Sequence, residues 1–563
     1  MAATPNGPVP ARLPKVCGLD AELGNFIIGP SGATGTGYAA ARALIAEMDG
    51  FPGDNCTGAS YCGCSECCAR RERNARRTSR RCDGHGRQAD SRSGYAGDDG
   101  RTDGYGSQDW NRRFLAANGG CAYVDLGHLE LCVPEVLSAR DHVACWHAML
   151  GLARGALDRA NQKQPPGHRI VALVNNSDGN GNSYGSHLSF LITREAWDNL
   201  FVRRMHLMLF LASHQVSSMV FTGQGKVGGE NGRPWVPYQI AQRADFLEVL
   251  SGPQTTYSRP ICNTRDEALC GSAFVSAPGA TARARLHVIS FDNTLCQVAS
   301  YLKVGTMQVV LAMIEAGWID MGLILEDPVA AAVTWSHDPT LGAKVRLCSG
   351  RELTAVELQL GFLEAARSFV AGGGCDGIVP QAEEIVALWE DTLLKLQARA
   401  FDDLAPRLDW VLKRSLLERA VQQHGLDWRD PAMKHLDLSY SNLDSAAGLY
   451  WACERNGLVE RVVAGDDVER FSREPPADTR AWTRAMLLRR AGPGRVVDVD
   501  WDRVRVRSEA AGRTWPSSER TVDLPDPLRH TRAEVEAHFE SAGSLDDIVD
   551  RLEAAEAVKV PNA

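Results

Sequence analysis

The chain has 563 residues, 44% apolar and 23% charged, an ordinary composition for a soluble globular protein and too long for one ordinary core. A formal charge of −9 argues against general nucleic-acid binding. No apolar run reaches the roughly 18 residues that span a bilayer, and the opening "MAATPNGPVPARLPKVCG" has no apolar signal core, so neither a membrane role nor export is expected and the reading is cytoplasmic.

Residues 1–14 are Pro-rich and read as a disordered lead-in. "KVCGLDAELGNFII" (15–28) predicts a first strand. Asp20 and Glu22 lie two apart on it and share a face. Two carboxylates on one face repel unless a cation joins them, and Mg²⁺ takes oxygen ligands of this kind; a solvated strand face has the same spacing. "GYAAARALIAEM" (37–48) is helix-like. Residues 50–108 then lose apolar periodicity and become rich in Gly, Arg, Ser, Asp and Cys, which predicts a long mobile insertion. Its stretch 70–92 carries nine Arg against Glu72, Asp83 and Asp90, a basic segment suited to docking on the acidic body or on an acidic partner. Six of the sixteen Cys fall in this insertion. Cys62, Cys64, Cys67 and Cys68 offer a Zn²⁺ site, although the paired C-x-x-C layout is absent and a reduced loop is the alternative.

"GGCAYVDLGHLELCVPE" (119–135) alternates and is read as one strand. On it His128 and Glu130 share a face, as metal ligands or as a structural pair, and Asp125 points the other way as a candidate general base. "RIVALV" (169–174) and "SHLSFLI" (186–192) flank the polar loop "NNSDGNGNSYG" like the arms of a hairpin. "FTGQGKVGG" (221–229) lacks phosphate-loop spacing and reads as a turn. "NTRDE" (263–267) offers Arg265. "RLHVISFD" (285–292) predicts a strand and offers Arg285 and His287. Helices are predicted at 306–318, 382–400 and 408–425, the last stopping on a glycine. "RVVDVDWDRVRVRS" (495–508) alternates like a strand. Strands first and long helices later predict an α+β body with an antiparallel sheet.

Together, "NNSDGNGNSYGSH", "QRADFLEV", "NTRDE", "RLHVI", "YLKVGT", "LDWVLKRSLLE", "LDLSYSNL" and "PPADTRA", in this order, resemble the Pup ligases and Pup deamidase/depupylases, relatives of glutamine synthetase. The resemblance implies a large glutamine-synthetase-like domain over 15–480, with a curved antiparallel sheet packed by helices and the 50–108 insertion, and a small C-terminal domain over 481–563. It implies ATP and Mg²⁺ as cofactors. It implies a small disordered Pup-like modifier and its lysine conjugates as partners, with proteasome-associated machinery beyond them. Carried over by position, Asp20, Glu22 and Glu130 match metal-binding acids and Asp125 the catalytic aspartate. Asn176, His187, Arg265, His287, Thr479 and Arg480 match nucleotide-side positions. The long insertion, the D-x-x-H-x-E spacing of 125–130, "NNSDG" and "SAGSLDDIVDRLEAA" resemble depupylases. "TTYSRPICNTRDE", "GNSYGSH" and "LDWVLKR" are similar to ligases. The reading is an ATP-dependent isopeptidase or deamidase, with a ligase or a non-catalytic tag binder as alternatives. Three positions depart from the family. His187-Leu188-Ser189 stands where His-Glu-Asn is usual, "NTRDEALCG" replaces "NTRDEPHAD", and Cys121 replaces an Arg. Loss of the Glu implies a poorer carboxylate set.

Overall fold

The computed structural model describes residues 12–52, 109–266, 283–508 and 519–557. The N-terminal lead to residue 11, the Cys- and Arg-rich stretch with its Zn²⁺ candidates, and the segment after Asp266 lie outside the described residues.

The organising element is the strand β1 (Cys17–Gly29), thirteen residues long. It is long enough to serve two sets of neighbours. Its first half pairs with β6 (His128–Val136) on one side and β8 (Ser186–Thr193) on the other. Its second half pairs with β2 (Gly32–Gly35) and β7 (Arg169–Leu173). The sheet extends past β6 through β5 (Cys121–Asp125) and β4 (Asp109–Phe114) to β3 (Phe51–Pro52), and past β8 to the edge strand Arg283–Val288. All of these pairings are antiparallel.

Two sequence readings are corrected here. The segments 169–174 and 186–192 do not form a hairpin; β7 and β8 both pair with β1, at different places along it. Nor is 119–135 one strand. Leu126 and Gly127 take positive φ (44° and 90°) and close a two-residue turn between β5 and β6, with Asp125 opposite His128. Primed turns of this kind match the twist of the flanking strands. Because the chain reverses, Asp125 and Tyr123 come to the same face as Glu130 and His128.

One face of the sheet is covered by helices, including Ala139–Gln162 and Gln297–Glu315. The latter is long and apolar enough to cross a membrane by length and composition, but Lys303 and Gln308 interrupt its apolar run and every residue of it is buried inside the fold. Its apolar surface is therefore spent on the core. The helices predicted at 382–400 and 408–425 are present as Ala382–Gln397 and Asp409–His424, and Gly425 (φ 64°) caps the second in the left-handed conformation. A second apolar cluster joins Phe114, Cys121 and Cys132 of the sheet to residues Trp482–Leu552. There the run 495–508 forms two strands of a hairpin, Val496–Asp500 and Arg503–Arg507, with Trp501 at its tip.

Candidate active site

The uncovered face of the sheet lines a cleft of about 910 Å³. Strand register decides what faces it. Glu22 sits opposite Glu130, which sits opposite Tyr123; His187 sits opposite Asp20, which sits opposite Cys132. With a side-chain period of two, one row continues into the next on the same face. Glu22, Asp125 and Glu130 bring carboxylate oxygens within 4.8 Å of one another, and Asp20, Glu130 and Cys132 form a second such group that shares Glu130.

Glu130 is 3% exposed. Burial pushes its carboxyl well up, and the charges of Asp125, Glu22 and Asp20 push it further. Such a cluster is electrostatically costly as it stands and is relieved by a divalent cation. The donor set, buried carboxylate oxygen on one sheet face, fits Mg²⁺. Replacing Glu130 with Gln is therefore expected to stabilise the metal-free protein by on the order of 1 kcal/mol. The same change removes most of the Mg²⁺-dependent rise in Tm, which scanning calorimetry with and without the ion reads out.

Cationic groups border the carboxylates. Arg259, Arg265 and Arg285 line the cleft. Arg285 donates from Nε to Ser189 Oγ at 3.0 Å and approaches Asp20 to 3.9 Å. His187 and His287 meet edge to face at 5.1 Å. Burial pushes the pKa of both well down, and the surrounding guanidinium groups push the same way, so both rings are neutral near pH 7. His128 donates from Nδ1 to the Leu23 carbonyl at 2.9 Å, and it stacks on Tyr184 at 4.4 Å.

Tyr184 belongs to the polar loop 175–185, whose residues 181–185 form part of the cleft wall. Gly179 and Gly181 take positive φ (76° and 96°), as glycine does without steric cost. Tyr184 Oη donates to Asn175 Oδ1 at 2.5 Å, and the Arg259 and Arg243 guanidiniums hold the Ser183 and Tyr184 carbonyls. Asn176 does not face the cleft. It is buried, donates to the Tyr184 carbonyl at 3.0 Å and accepts from Asn293 N at 2.6 Å, so it shapes the loop from behind. A Cβ on Gly24 would collide with Tyr184 Oη and crowd Asn175 Oδ1. Gly24→Ala is thus expected to cost about 1–3 kcal/mol through overpacking and to detach the loop, measurable as a lower Tm and faster amide exchange over 175–185.

Thr479 is also off the cleft; its hydroxyl donates to the Glu135 carbonyl at 2.8 Å. Arg480 is on it, bonded from Nε to Glu135 Oε1 at 2.7 Å. Leu188, where the resemblance implied a lost carboxylate, is fully buried and pairs with Leu19 and Val288 on the core side of the sheet. A ligand carboxylate at that register would point away from Asp20 and Glu22, so the acidic cluster is not depleted by it. Sequence reasoning missed Arg243, Arg259, Tyr123, Arg112 and Trp501. Arg112 stacks on Tyr123 at 4.6 Å, and Trp501 packs edge to face on Phe114 at 5.1 Å. Tyr123 was reachable from the Leu-Gly turn; the others arrive through tertiary packing and leave no local signal.

A family model for Pup-ligase protein matches residues 60–505. The depupylase of Acidothermus cellulolyticus is 37% identical over 445 residues, covering 78% of this chain and 83% of that protein. The Pup–protein ligase of Sanguibacter keddieii is 34% identical over 454 residues, covering 79% and 90%. The solved structure of the Pup ligase PafA in complex with ADP superposes with a TM-score of 0.65 at 26% identity, covering 81% of this chain and 92% of that one. The two share the glutamine-synthetase-like architecture. With its carboxylate-lined cleft on the open face of that sheet, the chain belongs to the Pup-ligase family.

Proposed function

We propose that the protein is an ATP-dependent isopeptidase or deamidase that removes a Pup-like modifier from substrate lysines, or deamidates its C-terminal Gln, with Asp125 as the catalytic carboxylate. The observation that carries this reading is the two-residue turn Leu126-Gly127. It gives the D-x-x-H-x-E spacing that resembles depupylases and sets Asp125 at the rim of the Glu22–Glu130 pair. Asp20, Glu22 and Glu130 would hold Mg²⁺, which when bound neutralises charge on nucleotide phosphates. Arg265, Arg285, Arg480 and the neutral His187 and His287 line the cleft as the nucleotide- and carboxyl-side wall. Asn176 supports that wall through Tyr184 and Thr479 through Glu135. Asp125 takes the proton of an attacking water and passes it to the departing lysine amine, or attacks the isopeptide carbonyl carbon itself to give an acyl-aspartate while the amine departs with a proton from water, whose hydroxide then cleaves the acyl-aspartate at the tag carbonyl. The modifier and its conjugates are the proposed partners, in the cytoplasm.

A second reading is the reverse chemistry, joining the modifier's C-terminal Glu to lysine. It is favoured by the comparable identity and coverage of a relative named a Pup–protein ligase. The non-catalytic reading drew on Leu188, Ser189 and Cys121, of which Leu188 faces the core. Incubation with ATP, Mg²⁺ and a Pup-conjugated protein is expected to release free tag. Attachment of free Glu-ended tag to lysine, without release, moves the assignment to the ligase.

A further inference from the structure

A cross-strand row runs His187, Asp20, Cys132, Cys121, Phe114, from the cleft into the second apolar cluster. Its midpoint is a pair of cysteines directly opposite each other on neighbouring antiparallel strands. Both are free and buried, and both belong to the cluster that docks the C-terminal residues on the sheet. The Cys121 thiol donates to the Ala122 carbonyl at 3.8 Å. Residues directly opposite in an antiparallel ladder have Cα atoms roughly 4.5–5.5 Å apart, inside the window of about 4.4–6.8 Å that a disulfide requires. Cys132 also lines the cleft, though only 1% exposed, and the cleft is the route by which a small oxidant would reach it. It shares a group of donor atoms within 4.8 Å with Asp20 and Glu130.

We propose that Cys121 and Cys132 form a reversible redox switch in the wall of the cleft. With a peroxide as oxidant, the Cys132 thiol takes one peroxide oxygen to become a sulfenic acid and the first water leaves. The Cys121 sulfur then attacks the Cys132 sulfur, the S–S bond forms, and the hydroxyl leaves with the Cys121 proton as the second water. The bond draws the Cys132 side chain toward β5 and away from Asp20 and Glu130, and it stiffens β6 at the strand that carries Glu130. A bond clamped between paired strands has little freedom to relax its geometry, and strained disulfides are the readily reduced, regulatory ones. The linkage is independent of the proposed function; its effect on ligand binding rests on that reading.

The test treats full-length protein with hydrogen peroxide, followed by non-reducing peptide mapping and Mg²⁺–ADP calorimetry. The exposed Cys348 serves as the internal control for oxidation. The expected result is a Cys121–Cys132-linked peptide and Mg²⁺–ADP binding weakened by about tenfold or more, restored by dithiothreitol. Cys121→Ser is expected to bind Mg²⁺–ADP normally and to be insensitive to peroxide, with Cys121→Ala as the substitute should the serine variant not fold. Full oxidation of Cys348 without the linked peptide overturns the pair. A linked peptide with unchanged binding, or equal sensitivity in Cys121→Ser, overturns the switch. If reduced protein binds no Mg²⁺–ADP, the functional reading fails, while the peptide map still decides the pair and the dithiothreitol-reversible change in Tm decides the switch.

Discussion

Asp125→Asn lowers turnover of a Pup conjugate by about a thousandfold or more while leaving Tm within a degree or so of wild type; positioned acid–base and nucleophilic groups carry effects of this size. The substitution keeps the shape of the side chain and removes its charge. Asp125 ends β5 at the mouth of the hairpin, outside both apolar clusters, so little packing depends on it. Removing one charge from the crowded Glu22–Asp125–Glu130 group also relieves repulsion, which acts against any loss of stability. Single-turnover release of tag, measured alongside Mg²⁺–ADP binding, separates the two effects. Binding retained with chemistry lost is the expected pattern. Full turnover in Asp125→Asn removes Asp125 from the mechanism.

The second large effect falls on stability. Glu135, near the end of β6, accepts from Arg480 Nε at 2.7 Å and from Arg484 Nη2 at 2.6 Å. Both guanidiniums are buried, at 2% and 0% side-chain exposure. Arg484 also donates to the carbonyls of Gly119 and Trp501, and Arg480 to that of Leu524. One carboxylate therefore pins the helix Ala481–Ala491 and the Trp501 hairpin to the sheet. Glu135→Ala removes the carboxylate that both buried guanidiniums share, a change that costs about 3–5 kcal/mol, and Tm falls accordingly. Burial alone would raise the Glu135 pKa, but Arg484 and Arg480 outweigh it and hold it at about 2, below the ordinary 4.5. A depressed carboxylate binds its proton more weakly in the folded state than in the unfolded one. Its stabilisation, about 3 kcal/mol, is thus present in full above pH 4.5 and is lost as pH falls toward 2. Denaturant titrations across that window are expected to show the slope in wild type and a weaker one in Glu135→Ala. Equal slopes would contradict the assignment.

How far the sequence reaches depends on the residue. The acidic pair of β1 was legible because a period of two needs no partner to be read, and the helices at 382–397 and 409–424 announced themselves by spacing and, in the second, by Gly425. The β5–β6 turn was not legible because Leu126, a residue that rarely takes positive φ, occupies its first position. Missing that turn put Asp125 on the wrong face. The pairing of β7 and β8 was misjudged for another reason: a thirteen-residue strand accommodates both segments along its length, and nothing in either segment records that length. Arg243 and Arg259 looked like ordinary charges. Burial against the polar loop is what gives them a role, and burial of a lone arginine is a tertiary fact.

The central claim is that this carboxylate cleft cleaves the bond between a Pup-like tag and lysine, and the most direct measurement follows oxygen. Conjugate is incubated with the protein, ATP and Mg²⁺ in ¹⁸O-labelled water, and the tag is weighed by mass spectrometry. The account predicts free tag carrying one heavy oxygen in its terminal side-chain carboxyl, in wild type and not in Asp125→Asn. Intact conjugate, with free tag instead consumed onto lysine, would contradict it.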